Sequence, residues 1–310
     1  PFGGCHIIFA GDFAQLQPPG QGTPLWTDVL DNESPKVKQT VNKEKAKFGR
    51  ALWLLVTNVV ILRKNMRQQG MCEEDIKFRT ALENLRYKAC TQEDITLLKS
   101  RVAGPLPHQP KLSDPIYRGV PIITARNVHR DKINEMGAAR FALDTGQELI
   151  CFNSKDKWAR PHEKTLDLIR SHNIVDPAIQ KMLWDLPPCC TDNHAGSLSL
   201  CIGMPVMLKY NEATELCATN GAEATVVGWL EALSEDGHRY LDTLFIRLQN
   251  PPRVQHLPGL PENVIPIVPS SKTITCDTQA AKKPRIERKQ VPILLNFAMT
   301  DFCSQGRTRP

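Results

Sequence analysis

The stretch GDFAQLQPP, residues 11–19, places a carboxylate, Asp12, and an amide, Gln15, just past the apolar run CHIIFA at residues 5–10. An amide donates and accepts at once, which suits sensing a terminal phosphate and the water that attacks it. Asp12 can hold a metal-bound water or a neighbouring loop, and Gly11 lets the chain turn sharply as it leaves the run. In LRKNMRQ, residues 62–68, the guanidinium of Arg67 could reach a phosphate as an arginine finger does. FAMTDFCSQGRT, residues 297–308, offers the hydroxyls of Thr300 and Ser304 and close backbone approach at Gly306, with Gln305 and Arg307 beside them. Hydroxyls and backbone N–H groups at such a turn suit nucleic-acid phosphates. PIITARNVHRDKIN, residues 121–134, puts Arg126, Asn127 and Asn134 after an apolar run, while His129 reads as a helix-surface residue. Each stretch also has a plainer reading: a surface loop after a core strand, a solvated basic loop, or an ordinarily capped helix.

The elements that must position these groups follow from periodicity. Residues 5–10 and 58–62 read as buried strands. Residues 73–88 carry apolar positions at helical spacing, and TQED at 91–94 is a capping box that opens a helix through Leu97 and Leu98. Residues 120–124 predict a strand, 127–141 a helix, 148–152 a strand and 176–186 a helix. Such alternation implies a parallel α/β sheet with ligands at the carboxyl ends of its strands. Past about Ser197 the texture changes to short β-type runs split by Gly, Pro and Asn, with a strong turn pair at Asn220-Gly221. Strands at this spacing predict a small barrel. Residues 281–290, AKKPRIERKQ, read as a basic connector that could contact phosphate, act as a nuclear address or lie solvated.

The bulk numbers bound these readings. At 310 residues the chain is long enough for two domains. It is 41% hydrophobic and 23% charged, in the globular range. Lys and Arg number 39 against 33 Asp and Glu, a net +6 that fits a nucleic-acid partner without requiring one. No apolar run reaches the roughly 18 residues of a membrane span. The ten cysteines form no C-x-x-C pair. Cys189-Cys190 with His194 lacks the usual zinc spacing, so no metal site is expected and free thiols are. A start at Pro1 within a strand-like run raises the expectation of a fragment.

The order of these stretches resembles the Pif family of superfamily-one DNA helicases, the petite-integration-frequency group with its RecD-like and Helitron-encoded relatives. FGGCHIIFAGDFAQLQPP resembles the family's motif III, LRKNMRQ motif IV and FAMTDFCSQGRT motif V. TQEDITLLKSRV and PIITARNVHRDKIN resemble the stretches between, and LCIGMPVMLKYN with TNGAEATVVGW the start of an SH3-like insertion. The resemblance is weakest over residues 154–196. It implies an α/β fold of RecA-like P-loop NTPase motor domains, the first truncated, with a small β-barrel SH3-like insertion. The implied bounds are 1–62 for the remnant of the first motor domain, 63–196 for the second, 197–290 for the insertion and 291–310 for the return to the second. By resemblance, Gln15 faces the ATP γ-phosphate and Arg67 reaches it from the second domain, with Asp12 counted beside them among the catalytic residues. Gly11, Gln305 and Gly306 would lie on the nucleotide side, and Thr300, Ser304, Arg307 and Asn127 near the DNA. ATP and Mg2+ are the implied cofactors. Single-stranded DNA and duplex junctions are the implied partners, met by a monomer in the nucleus or mitochondrion with no membrane association.

The sequence also departs from the pattern. No G-x-x-x-x-G-K-[ST] phosphate loop and no last arginine motif occur, so the chain alone is expected to be inactive as an ATPase. Motif V carries Cys303 where a basic residue is usual. The function read from the sequence is therefore a fragment of an ATP-dependent 5′-to-3′ DNA helicase, with the family's roles in repair, recombination and telomere maintenance. The alternatives are a transposon-derived remnant that only binds nucleic acid, and a protein-interaction module built on the β-rich part.

Overall fold

The computed structural model describes residues 2–17, 41–66, 68–117, 119–159, 175–277, 283 and 285–307. Arg67, residues 18–40, part of the basic connector and residues 308–310 lie outside the described residues. The chain divides into two units, one of residues 1–114 with 305–310 and the other of residues 115–304.

The first unit is helical. Helix α1 (Val41–Trp53) carries Glu44 in its first turn and Arg50 in its last. Helix α2 (Glu73–Arg86) starts at Cys72, whose sulfur accepts the Asp75 N–H, and its first turn carries Glu73, Glu74 and Asp75 against the positive end of the dipole. Helix α3 (Gln92–Ser100) opens on the expected capping box: the Asp94 N–H donates to Thr91 Oγ1 at 3.2 Å, and the Thr91 N–H to Asp94 Oδ2 at 2.8 Å. Asn84 Nδ2 donates to the same carboxylate at 2.8 Å and so ties α2 to α3. Residues 5–10 and 58–62 differ from expectation, forming no strand, with Ile8 93% and Leu62 91% exposed. An apolar run becomes a strand only where another strand completes its ladder, and among the described residues none runs beside either. Phe9 and Phe13 instead pack edge-on against Trp53.

The second unit holds the sheets. Strand β1 (Ile122–Thr124) feeds helix α4 (Asn127–Thr145), which ends at Gly146 in the left-handed conformation, φ 63°. Strand β2 (Ile150–Asn153) and strand β3 (Lys155–Trp158) follow, then helix α5 (Pro177–Asp185), capped by Asp176 with Pro177 at its first position. Next come β4 (Ser197–Leu200), β5 (Pro205–Leu208), β6 (Glu223–Leu233), β7 (Arg239–Leu248), β8 (Val264–Ile267), β9 (Ser270–Thr275), β10 (Arg285–Gln290), β11 (Ile293–Leu295) and β12 (Ala298–Thr300). Helix α6 (Asp301–Ser304) is a single turn.

The order β11-β5-β6-β7-β8 makes one five-stranded antiparallel sheet; β3-β10-β9 is a second, β2-β4 a third, and β1-β12 is a parallel pair. The strands expected to curl into a barrel therefore form open sheets among the described residues. Strand β10 pairs with β9 and β3 instead of closing the five-stranded sheet. The Asn220-Gly221 turn behaves as expected. Gly221 sits at φ 84° and its N–H donates to the Leu208 carbonyl, which sends β6 back along β5. The main core lies between these layers, around Phe152, Leu200, Met204, Val206, Leu208, Leu244, Ile246 and Ile293. Each such side chain contributes about 1.5–3 kcal/mol by leaving water.

Candidate nucleic-acid interface

Parallel pairing brings loops from distant parts of the chain to one edge. In the β1-β12 register Thr124 lies opposite Thr300, so the segments that leave the two strands start side by side. One leads to Asn127 at the first turn of α4, and the other to α6 with Cys303 and Ser304. The carboxyl ends of parallel strands are where open α/β sheets place ligands. Three of the four residues expected near DNA, Asn127, Thr300 and Ser304, thus belong to one edge. The fourth, Arg307, belongs to the first unit.

Helix α4 secures this edge. Asn134, buried, donates from Nδ2 to the Ala298 carbonyl at 3.2 Å and accepts the Ala298 N–H on Oδ1 at 2.8 Å. Its amide does for β12 what a neighbouring strand would do. Gly137 makes room for Phe297, since a Cβ there would come within 2.6 Å of the ring. At the start of α4, Arg130 is 2% exposed and donates to Asn127 Oδ1 (2.8 Å), Asp131 Oδ1 (2.5 Å) and Asn193 Oδ1 (2.6 Å). Asp131 Oδ2 accepts the Cys189 N–H at 2.8 Å. This network joins the first turn of α4 to the 188–194 turn and orients Asn127, whose side chain is exposed.

The hydroxyls are less open than the sequence reading implies. Thr300 is 7% exposed, and Ser304 Oγ donates to the Asp301 carbonyl at 2.8 Å. Cys303 is half-buried. The neighbouring thiols are held protonated. Burial first, then Asp131, pushes Cys189 up to about 12, and burial pushes Cys276 up to about 11. Burial also brings His194 down to about 4, so its ring is neutral at pH 7.

The residues expected on the nucleotide side belong to the first unit. Asp12 is held by a helix of the same unit. Arg86 of α2 donates to both its oxygens, at 2.8 and 2.6 Å, and the Ala14 N–H to Oδ1 at 2.9 Å. Those bonds, Arg86 first, lower the carboxyl to about 2. Gln15 Oε1 accepts from Gln305 Nε2 at 2.5 Å, an amide pair between residues 290 positions apart. Gly306 uses the left-handed region, φ 80°. Gly11 does not, and a Cβ there would meet nothing within 4 Å, so the sharp turn expected of it is not what the chain requires. One contributor was missed from sequence: Arg130, which looks like any helix cation. The spacing of Arg130 three residues after Asn127 was the available signal.

No family model and no curated protein matches the chain. Solved structures do. The Pif1 helicase from Candida albicans matches with a TM-score of 0.48 at 17% identity, over 82% of this chain and 49% of that one. Bacteroides Pif1 bound to ssDNA matches at 0.44 and 20%, over 79% and 43%. Bacteroides Pif1 in complex with ADP-AlF3 and ssDNA matches at 0.45 and 20%, over 80% and 44%. The chain spans less than half the length of each. All three are Pif1 helicases, and over about four-fifths of its length this chain is similar to them.

Proposed function

We propose that this chain is the nucleic-acid-tracking part of an ATP-driven DNA helicase of the Pif type, moving 5′ to 3′ on single-stranded DNA. One observation carries the reading: Asn127 and the Cys303–Ser304 turn leave the same ends of a parallel strand pair, 164 residues of chain having been brought together by the Asn134–Ala298 bonds. Ordered polar groups at such an edge position a phosphate backbone without reading sequence. In this reading residues 1–62 and 63–196 belong to successive motor domains and 197–290 to the insertion. Gln15 and Arg67 act on the ATP phosphates with Mg2+, and the chain works as a monomer in the nucleus or mitochondrion.

A second reading is a nucleic-acid binder that hydrolyses nothing. It draws on Asp12 being engaged by Arg86 and on a sequence without a phosphate loop. The test is fluorescence anisotropy with a labelled oligothymidylate over a salt series, followed by ATPase assay with the same DNA. Both readings expect affinity to fall steeply as salt rises. Binding that ignores salt, or no binding, sinks both and leaves a protein-interaction module. For the chain alone we expect no ATP turnover, and turnover at helicase rates would refute that expectation.

A further inference from the structure

The pairing of β3 with β10 sets two lysines against each other. Lys155 and Lys289 are direct cross-strand partners, both exposed and on one face of the sheet. Like charges directly opposite each other destabilise a sheet. The adjoining inward pair has the reverse arrangement, Arg288 across from Asp156. Both lysines line one cleft of about 260 Å³, with Tyr240 and Asp242 on its wall. Lys155 Nζ lies 4.8 Å from the centre of the Tyr240 ring, which holds that ammonium at the cleft. Among the described residues neither lysine pairs with a carboxylate, Asp242 included.

The cations continue beyond the cleft along the same face. Lys157 is the next outward residue of β3, and Arg285 and Glu287 precede Lys289 on β10. On the third strand Ser271, Thr273 and Thr275 of β9 lie opposite Lys289, Glu287 and Arg285. The outward positions of the three strands thus hold four cations, three hydroxyls and one carboxylate, and no apolar side chain. Successive outward residues stand about 6.7 Å apart along a strand and about 4.8 Å across strands, so the charges crowd a small patch. A protein partner would need an aromatic or apolar anchor, which this face lacks. Lys, Arg, Ser and Thr are the side chains that meet phosphate oxygens.

We propose that the outward face of β3, β10 and β9 is a contact surface for the phosphate backbone of a nucleic acid, with Lys155 and Lys289 holding one phosphodiester in the cleft they line. This rests on the nucleic-acid reading above and adds to it a surface on strands other than β1 and β12. The bound anion offsets the repulsion between the two lysines. The grip reads no base, because contacts to phosphate carry no sequence information.

The experiment uses the full chain and a fluorescein-labelled oligothymidylate, with affinity measured across salt. Lys289→Gln should reduce the salt slope by about 0.7 and weaken binding about fivefold near 0.1 M salt, the effect of one lost phosphate contact on a single strand. Lys155→Gln should do the same, and Lys289→Arg should bind as the parent does. Lys289→Gln should melt no lower than the parent, because it relieves the opposed charges. A lower melting temperature with the same loss of binding would make the lysine structural and overturn the proposal. Lys132→Gln, an exposed lysine paired with Glu135 on α4, should change nothing. A parent chain that binds with a salt slope unchanged in both lysine variants overturns this proposal and leaves the nucleic-acid reading standing. A parent that does not bind overturns that reading, and this proposal with it. Labelled polyglutamate of equal charge should bind more weakly than the DNA; tighter binding that both variants lose would mark a surface for an acidic protein and overturn the proposal as well.

Discussion

Arg288 and Asp156 are cross-strand partners on β10 and β3, and neither side chain exposes any surface. Nε donates to Oδ1 at 2.9 Å and Nη2 to Oδ2 at 2.8 Å. The guanidinium also donates to the carbonyls of His194 (3.0 Å) and Leu183 (2.9 Å), while Asp156 accepts from Ser154 Oγ and Gln180 Nε2. One buried pair thus joins two strands, the end of α5 and the 191–194 turn.

Removing one partner leaves a buried charge alone. Arg288→Leu or Asp156→Asn should each destabilise the second unit by about 3–5 kcal/mol, and the double change Arg288→Met with Asp156→Leu should recover most of that. Urea denaturation reads it. A single variant that loses less than about 1 kcal/mol would mean that the pair contributes little.

His194 makes stability depend on pH. It is 1% exposed, its Nε2 has no hydrogen-bond partner among the described residues, and burial, then Arg288, lowers its pKa to about 4. The unfolded ring takes up its proton near 6.5, so the contribution is full above that pH. It is lost as pH falls from there towards 4, up to about 3 kcal/mol in all. Urea midpoints at about pH 7 and about pH 5 should differ less in His194→Leu than in the parent. Equal losses in both would count against this assignment.

Two glycines mark close approaches of different stiffness. A Cβ on Gly196 would come within 2.7 Å of the Leu183 carbonyl oxygen and 2.8 Å of Trp184 Cα, both backbone; one on Gly137 would meet the ring of Phe297. The nearest Phe297 atoms, Cγ at 2.6 Å and Cβ at 2.8 Å, do not move when the ring turns, so α4 and Phe297 must shift apart, whereas at Gly196 two backbone segments meet directly and have less to give. Gly137→Ala should cost about 1–2 kcal/mol and Gly196→Ala about 3 or more. Thermal melting of the two variants should rank them in that order.

Asn134 holds the start of β12 by two bonds to one residue. Asn134→Ala should cost about 2–4 kcal/mol by leaving a buried N–H and C=O without partners. It should also raise the exchange rate of the Ala298 amide. If that amide stays protected in the variant, the bonds are not what holds the strand.

Local signals were legible before the fold was known. The capping box at Thr91–Asp94, the helix from Asn127, the helix after Asp176 and the Asn220-Gly221 turn depend on neighbours a few residues away, and they form as read. The motif order was equally legible, since it is a property of the chain. Residues 285–290 show where composition misleads. RIERKQ looks like a solvated basic run, yet it is a strand whose Ile286, Arg288 and Gln290 face inward. Its period of two is visible, but an inward arginine makes sense only once Asp156 is found opposite. Residues 5–10 show the converse: strand composition without a partner ladder yields no strand.

The sequence by itself therefore determined most of the helices, the caps, the turns and the order of the motifs, because hydrogen bonds and periodicity within a short segment decide these. Only the tertiary structure decided that Asn127 and Ser304 share an edge and that Arg288 is buried against Asp156. Those outcomes depend on register between strands far apart in the chain, and on which charge finds a partner once water has been excluded.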